Sequence, residues 1–199
     1  MLKRRGLLAG VFAGLFLFLA AKTWLNHPSN LEIVRASNTI GGAFELTDQD
    51  GQHVTEKDLL GKPSVMFFGY TYCPDICPTT LLELTNWLKA LGVDADKLNV
   101  VFVSVDSKRD TPEQMKLYLS SFDPRIRGFT GTAKQVEKIT SEYRVYYKQV
   151  PADGGDYTYD HSALIYLMNQ SGRHVGIIAP NEPEASAVAK LRKLINSGT

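Results

Sequence analysis

The stretch that decides the fold runs from Lys62 to Pro78 and reads KPSVMFFGYTYCPDICP. Its apolar part, which ends at Tyr70, has the length and composition of a buried β-strand. The segment Thr79–Leu91 follows, and its apolar spacing is typical of a helix. Cys73 and Cys77, the only two cysteines in the chain, therefore lie at a strand-to-helix junction.

The place and the spacing of these thiols point to chemistry. The amides and the positive dipole end at a helix N-terminus favour a thiolate, which attacks disulfides and binds soft metals. Three residues separate Cys73 from Cys77, and positions i and i+4 of a helical turn share a face. The pair can close on a metal ion or on itself. A purely structural disulfide is the weaker explanation, because so short a loop restrains the unfolded chain little.

Residues 1–25 predict a membrane anchor. The basic run Lys3-Arg4-Arg5 precedes the uncharged stretch Gly6–Ala21. Counted through to Leu25, the segment has about 20 residues, which as a helix cross a bilayer core. The positive-inside rule places the N-terminus in the cytoplasm. We therefore expect a single pass through the inner (cytoplasmic) membrane, with the soluble domain facing the periplasm.

Two other interpretations of this segment stay open. A cleaved signal peptide needs small residues at the −3 and −1 positions, which Leu19-Ala20-Ala21 supplies poorly. The pair Arg4-Arg5 also resembles a twin-arginine export signal, which would change the export route and not the destination. We expect the mature protein to keep its anchor.

Composition supports one domain with this appendage. The chain has 199 residues, of which 44% are hydrophobic and 22% charged, as in ordinary globular proteins. Its net charge of +1 gives no support to nucleic-acid binding. Residues 26–41 are polar and predict a tether, and residues 42–199 predict the folded domain.

Strand and helix patterns alternate along the domain. A hairpin is predicted around Asp50-Gly51, and Thr111, Pro112 and Gln114 predict a helix start with a capping box. The predicted strands are 64–69, 99–105, 163–168 and 174–178, and the predicted helices are 79–91, 112–122, 133–143 and 182–196. This order gives a thioredoxin-like α/β sandwich with a mixed central sheet. The two cysteines then lie at the end of its first strand–helix unit.

A histidine is the natural third ligand for two thiolates. The chain has four, at His27, His53, His161 and His174. The first is in the tether, and the second and fourth lie beside turns, where exposed polar residues are common. His161 stands at the mouth of an apolar strand. A lone histidine there is more often structural, but the nearby cysteine pair reverses that expectation.

Cys73, Cys77 and His161 would make a site of two sulfurs and one nitrogen. This set suits Cu(I), and a weak fourth ligand would extend it to Cu(II). Structural zinc takes four ligands and iron–sulfur clusters generally four cysteines, so both are disfavoured. Asp75 and Asp160 flank the ligands. Two interpretations stay open. Asp75 is a plain helix cap and Asp160 a plain strand-edge carboxylate, or these groups orient the metal ligands.

The chain resembles the Sco/SenC family, membrane-anchored copper chaperones of cytochrome c oxidase assembly. The resemblance rests on the segments GYTYCPDICPTTL from Gly69, VSVD from Val103, RDTPE from Arg109 and DHS from Asp160. It extends over roughly residues 42–195. Ser107 stands where a proline is common, and Tyr159 where an aliphatic residue is common; neither is an expected ligand.

The resemblance implies copper held by Cys73, Cys77 and His161, taken from a copper donor protein and delivered to the CuA centre of cytochrome c oxidase subunit II. Such a chaperone binds without catalytic turnover. The alternative is an enzyme, a periplasmic thiol–disulfide oxidoreductase that reduces the cysteines of a copper acceptor and needs no histidine. A peroxiredoxin-type peroxidase fits less well. Its peroxidatic cysteine usually follows a threonine by three residues, as Thr-x-x-Cys, whereas Thr71 lies only two residues before Cys73.

Overall fold

The computed structural model describes residues 39–197. The predicted anchor and all but the last residues of the predicted tether, including His27, lie outside this range. Within it, no helix combines the length and the apolar character needed to cross a bilayer.

Nine strands and four α-helices build the described part of the chain. The strands are β1 (Glu45–Asp48), β2 (His53–Thr55), β3 (Ser64–Gly69), β4 (Asn99–Ser104), β5 (Ile126–Thr130), β6 (Tyr147–Pro151), β7 (Tyr157–His161), β8 (Ile165–Met168) and β9 (His174–Ile178). The helices are α1 (Ile76–Leu91), α2 (Pro112–Leu119), α3 (Ala133–Glu142) and α4 (Glu184–Asn196).

Seven of these strands form a mixed sheet in the order β2-β1-β5-β4-β3-β8-β9. β4 runs parallel to both β3 and β5. β3 runs antiparallel to β8, and the outer pairs of the sheet are antiparallel as well. The α/β architecture with a mixed central sheet is thus as predicted.

Strand β3 is an interior strand of the sheet, paired with β4 and β8, and both of its faces are covered. Val65 and Phe67 pack in one core layer with α1, α2 and α4. Met66 and Phe68 pack in the other layer with α3. All six residues of the strand are buried, as expected for a continuous apolar run with helices on both sides. β3 therefore fixes the position of the loop that follows it, at the carboxyl end of the strand.

Helix α1 begins at Ile76, three residues earlier than predicted. Pro78 lies in the first helical turn, where proline is tolerated because its missing N–H would have no partner. Cys77 consequently belongs to the helix, and Cys73 to the loop before it. The buried side of the helix includes Cys77, Leu81, Leu84 and Leu88, which hold it against the sheet.

The predicted capping box of α2 is wrong. Thr111 does cap the helix, since its side chain accepts from the Gln114 amide at 3.2 Å, and Pro112 is the first helical residue. However, the Thr111 amide already donates to the Arg109 carbonyl, at 3.1 Å. The Gln114 side-chain amide instead faces the Thr71 hydroxyl at 3.5 Å. The helix also ends at Leu119, before the predicted Phe122.

Strands β5, β6 and β7 were not predicted. β6 and β7 form a two-stranded antiparallel sheet of their own, in which Tyr147 is opposite His161. Their residues are polar and mostly half-buried or exposed, so they leave no apolar run in the sequence. His161 therefore ends β7 and does not open the apolar strand β8, which begins only at Ile165.

The orientation of α1 can be tested with two leucines. Leu84 is 1% exposed and Leu82 is 54% exposed, although both lie in the same helix. We expect Leu84→Ala to lower the free energy of unfolding by about 2–5 kcal/mol, because it leaves a cavity in the core. Leu82→Ala should change it by less than about 0.5 kcal/mol. Chemical denaturation measures both; equal losses would contradict the orientation described.

Candidate metal centre

Three chain segments meet at one end of the sheet. The loop after β3 contributes Cys73, the first turn of α1 contributes Cys77, and the end of β7 contributes His161. Their sulfur and ring nitrogen atoms all lie within 4.8 Å of one another. Cys77 is buried, whereas Cys73 and His161 are half-buried. The structure thus brings together all three residues that the sequence singled out.

The remaining described histidines lie elsewhere. His53 is on β2 and His174 on β9, and these strands are the two opposite edges of the main sheet. Within residues 39–197, Cys73, Cys77 and His161 form the one group of three or more histidine, cysteine or acidic side chains close enough to hold a metal ion.

The backbone around the cysteines favours a thiolate at Cys73. The Cys73 amide donates to the Tyr70 carbonyl at 3.3 Å, which turns the chain sharply after β3. The Cys77 amide, at the start of α1, points at the Cys73 sulfur from 3.5 Å. A helix N-terminus stabilises negative charge through such amides and through its dipole.

The two thiols are electrostatically different. A hydrogen bond from the Cys77 thiol lowers the pKa of Cys73 to about 3, and the backbone amides of Asp75 and Cys77 contribute in the same direction. The pKa of Cys77 is raised, because its proton is held by the Cys73 sulfur, because it is buried, and because it lies beside a negative charge. The pair therefore shares one proton, which stays on Cys77.

His161 turns one nitrogen toward the sulfurs. Its Nδ1 lies 3.1 Å from the Ser162 carbonyl oxygen, and its Nε2 lies 3.5 Å from the Cys77 sulfur. A carbonyl oxygen only accepts hydrogen bonds, so Nδ1 carries a proton and Nε2 is the nitrogen left for a metal. The rings of Phe67 and Tyr70 flank the imidazole, with centroids 6.3 and 5.8 Å from its own.

Gly69, the last residue of β3, makes room for this arrangement. A Cβ atom at this position would lie 2.5 Å from the Cys77 sulfur and 2.9 Å from the Phe102 ring. Real side chains do not approach so closely, so any larger residue would push α1 away from the sheet. The absence of a side chain at Gly69 is therefore what allows Cys77 to sit against the strand.

The side chains of the two flanking carboxylates, Asp75 and Asp160, do not orient a ligand. Asp75 occupies the N-cap position of α1, but its side chain makes no capping hydrogen bond and is exposed. Asp160 is exposed on β7, opposite Lys148 of β6. Neither carboxylate belongs to the group of converging ligand atoms. Asp160 is thus a strand-edge carboxylate, and Asp75 acts on Cys73 through its backbone amide.

A buried carboxylate supports the cysteine loop, and the sequence assigned it no role. Asp110 accepts hydrogen bonds from the Thr71 amide at 3.0 Å, the Thr71 hydroxyl at 2.7 Å and the Ser104 hydroxyl at 2.5 Å. Burial raises the pKa of Asp110. These bonds tie the loop to the end of β4. The only sequence signal for them is that Asp110 lies in the RDTPE segment.

Comparison with known proteins agrees with this geometry. The SCO1/SenC family model matches residues 34–196. The chain is 41% identical to Saccharomyces cerevisiae protein SCO2, mitochondrial, over 165 residues, which are 81% of this chain and 54% of the relative. It is also 41% identical to an SCO2-like protein of Rickettsia prowazekii over 138 residues, 68% of this chain and 67% of the relative. The chain thus spans about half the length of the yeast protein.

Solved structures match the domain closely. Bradyrhizobium japonicum ScoI with copper bound is 53% identical, with a TM-score of 0.74 over 78% of this chain and 99% of that one. Yeast Sco1 with copper bound is 41% identical, with a TM-score of 0.74 over 80% and 90% of the two chains. Because the family model covers well over half of the sequence, this chain belongs to the SCO1/SenC family.

Proposed function

We propose that this protein is a copper metallochaperone that delivers copper to the CuA centre of cytochrome c oxidase subunit II. The observation that carries the proposal is the meeting of two sulfurs and one imidazole nitrogen within 4.8 Å. Thiolates select Cu(I), and imidazole also suits copper. The copper-bound structures of the relatives from B. japonicum and yeast support the same cargo.

Each residue of the trio has a part in holding this cargo. Cys73 presents a thiolate, since its pKa lies far below neutral pH. Cys77 must give up its proton to become a ligand, and His161 offers the Nε2 lone pair. Three such ligands suit Cu(I), whereas Cu(II) would need a weak fourth ligand. Cys73 is the more accessible sulfur, so an acceptor thiol would reach the ion from that side.

The proposal includes the setting of the domain. Residues 1–25, with basic residues before an apolar stretch, would anchor the protein in the inner membrane, with the domain in the periplasm. There it would receive copper from a donor protein and pass it to the oxidase subunit. Sequencing the N-terminus of the mature protein tests the anchor, because a start near Lys22 or Asn26 would show that it is cleaved.

Copper stoichiometry tests the site itself. The reduced wild-type protein should bind one copper ion per chain. In His161→Ala the affinity should fall by more than the roughly 10–100-fold that the loss of an outer-shell partner costs, because a direct ligand is lost. The control is His53→Ala, at the far edge of the sheet, which should bind as the wild type does. Unchanged copper affinity in His161→Ala would contradict the proposal.

One observation favours a second candidate, a thiol–disulfide oxidoreductase. Cys73 is half-buried and its pKa is lowered, while Cys77 is buried and its pKa is raised. In this reaction Cys73 would attack a substrate disulfide, and Cys77 would then displace the bound sulfur. The substrate would gain two thiols as Cys73 and Cys77 oxidise to a disulfide. Reductase activity that survives His161→Ala but not Cys73→Ser would favour this candidate over the chaperone.

The difference between the thiols predicts their reactivity with an alkylating reagent. Because the lowered pKa keeps Cys73 ionised in acid, it should react at pH 5, where an ordinary cysteine with a pKa of about 8.5 is almost wholly protonated. Cys77 should stay unmodified. Peptide mass spectrometry measures both rates, with the urea-unfolded protein as the control in which the difference disappears. Faster modification of Cys77 would overturn the assignment.

A further inference from the structure

Arg109 lies in the loop after β4, between the loop that contains Cys73 and the strand β7 that ends at His161. Its Nε donates to the Asp106 carboxylate at 2.5 Å. Its Nη1 donates to the Tyr157 carbonyl at 3.0 Å and to the Asp156 carboxylate at 3.1 Å. The side chain is only 16% exposed. One guanidinium group thus joins the β4 loop to the beginning of β7.

The same guanidinium lies over the rings of two tyrosines. Its Cζ lies 3.8 Å from the ring centroid of Tyr157 and 4.8 Å from that of Tyr72. Arginine is suited to this place, because its planar group can stack on aromatic faces while it donates hydrogen bonds in its own plane. We call Arg109, Asp106, Tyr72 and Tyr157 the arginine clamp.

The two tyrosines belong to the two parts of the site. Tyr72 immediately precedes Cys73, and Tyr157 begins the strand that ends at His161. Among the described residues, that strand pairs with β6 and has no ladder to the main sheet. An isolated two-stranded sheet is marginally stable in water. The position of His161 over the cysteines is therefore supported by side-chain ties between the hairpin and the loops beneath it, together with the packing of Tyr147 and Tyr159 on the core.

The clamp is one of these ties. Its base, Asp106, is fully buried and also accepts a hydrogen bond from the Tyr157 hydroxyl at 3.0 Å. A second tie lies nearer the histidine, where the Tyr70 hydroxyl meets the Thr158 hydroxyl at 2.5 Å and accepts from the Tyr159 amide at 3.3 Å. Of the two, only the clamp connects the hairpin, the cysteine loop and the β4 loop at once.

We propose that Arg109 is a positioning residue, which holds His161 in register with Cys73 and Cys77 so that the three ligands bind copper together. It touches no ligand and acts through Tyr72 and Tyr157. The expected effect on copper binding rests on the proposed function. Its structural part, that Arg109 holds the β6–β7 hairpin in place, concerns the metal-free protein as well.

The test compares Arg109→Lys with Arg127→Lys in the full-length protein. Lysine keeps the charge but cannot stack and bond to three partners at once. Arg127 is the matched control, because it also lies over an aromatic ring, Phe129 at 5.0 Å, and beside a carboxylate, Asp48 at 3.4 Å, without contacting the hairpin. Amide exchange along β7 and the His161 ring signals are followed by nuclear magnetic resonance, without and with Cu(I).

In Arg109→Lys we expect β7 amides to exchange faster in the metal-free protein, copper affinity to fall about 10-fold, and the copper-induced shift of the His161 ring to weaken. The control should match the wild type in all three. Wild-type exchange and wild-type affinity in Arg109→Lys would overturn the inference while leaving the chaperone function intact. If wild-type protein binds no copper, the proposed function fails, and exchange along β7 alone decides whether the clamp holds the hairpin.

A milder variant covers the case in which Arg109→Lys does not fold. Tyr157→Phe keeps the stacked ring and removes only the hydroxyl that bonds to Asp106. It should change exchange along β7 and the His161 ring shift in the same direction, by a smaller amount. A folded Tyr157→Phe protein with wild-type values for both would count against the clamp.

Discussion

The close approach of helix α1 to the end of strand β3 is the constraint on which the site depends. It is possible because Gly69 has no side chain, and a Cβ there would lie 2.5 Å from the Cys77 sulfur. The approach buries one sulfur and aims the helix N-terminus at the other. Their unequal pKa values follow from it, since one thiol is enclosed and keeps its proton while the other accepts hydrogen bonds.

Much of this arrangement could be predicted from the sequence because it is local or strongly apolar. The run from Ser64 to Gly69 is buried on both faces, so its pattern is unambiguous. The two cysteines follow it directly, and their place at a helix start needs only that one junction to be recognised. His161 was found by elimination among four histidines, and its convergence with the cysteines is now seen in the structure.

The rest depends on contacts between distant residues, which periodicity cannot reveal. Strand β7 has no run of apolar residues, because its hairpin lies outside the main sheet and its side chains are mostly half-buried. Gln114 has the spacing of a capping box, but a competing bond from the Thr111 amide removes that option. The roles of Asp110 and Arg109 also become visible only when loops separated in sequence are brought together.

The distance between the ligands along the chain links metal binding to folding. His161 lies 84 residues after Cys77 in sequence, so the complete trio exists only when the sheet and the hairpin are both formed. An ion that needs all three ligands would bind the native state and not the unfolded chain, and would stabilise it by mass action. The metal-free and the metal-bound protein would then differ in resistance to heat and proteolysis, so that the lifetime of the chain would depend on the supply of metal.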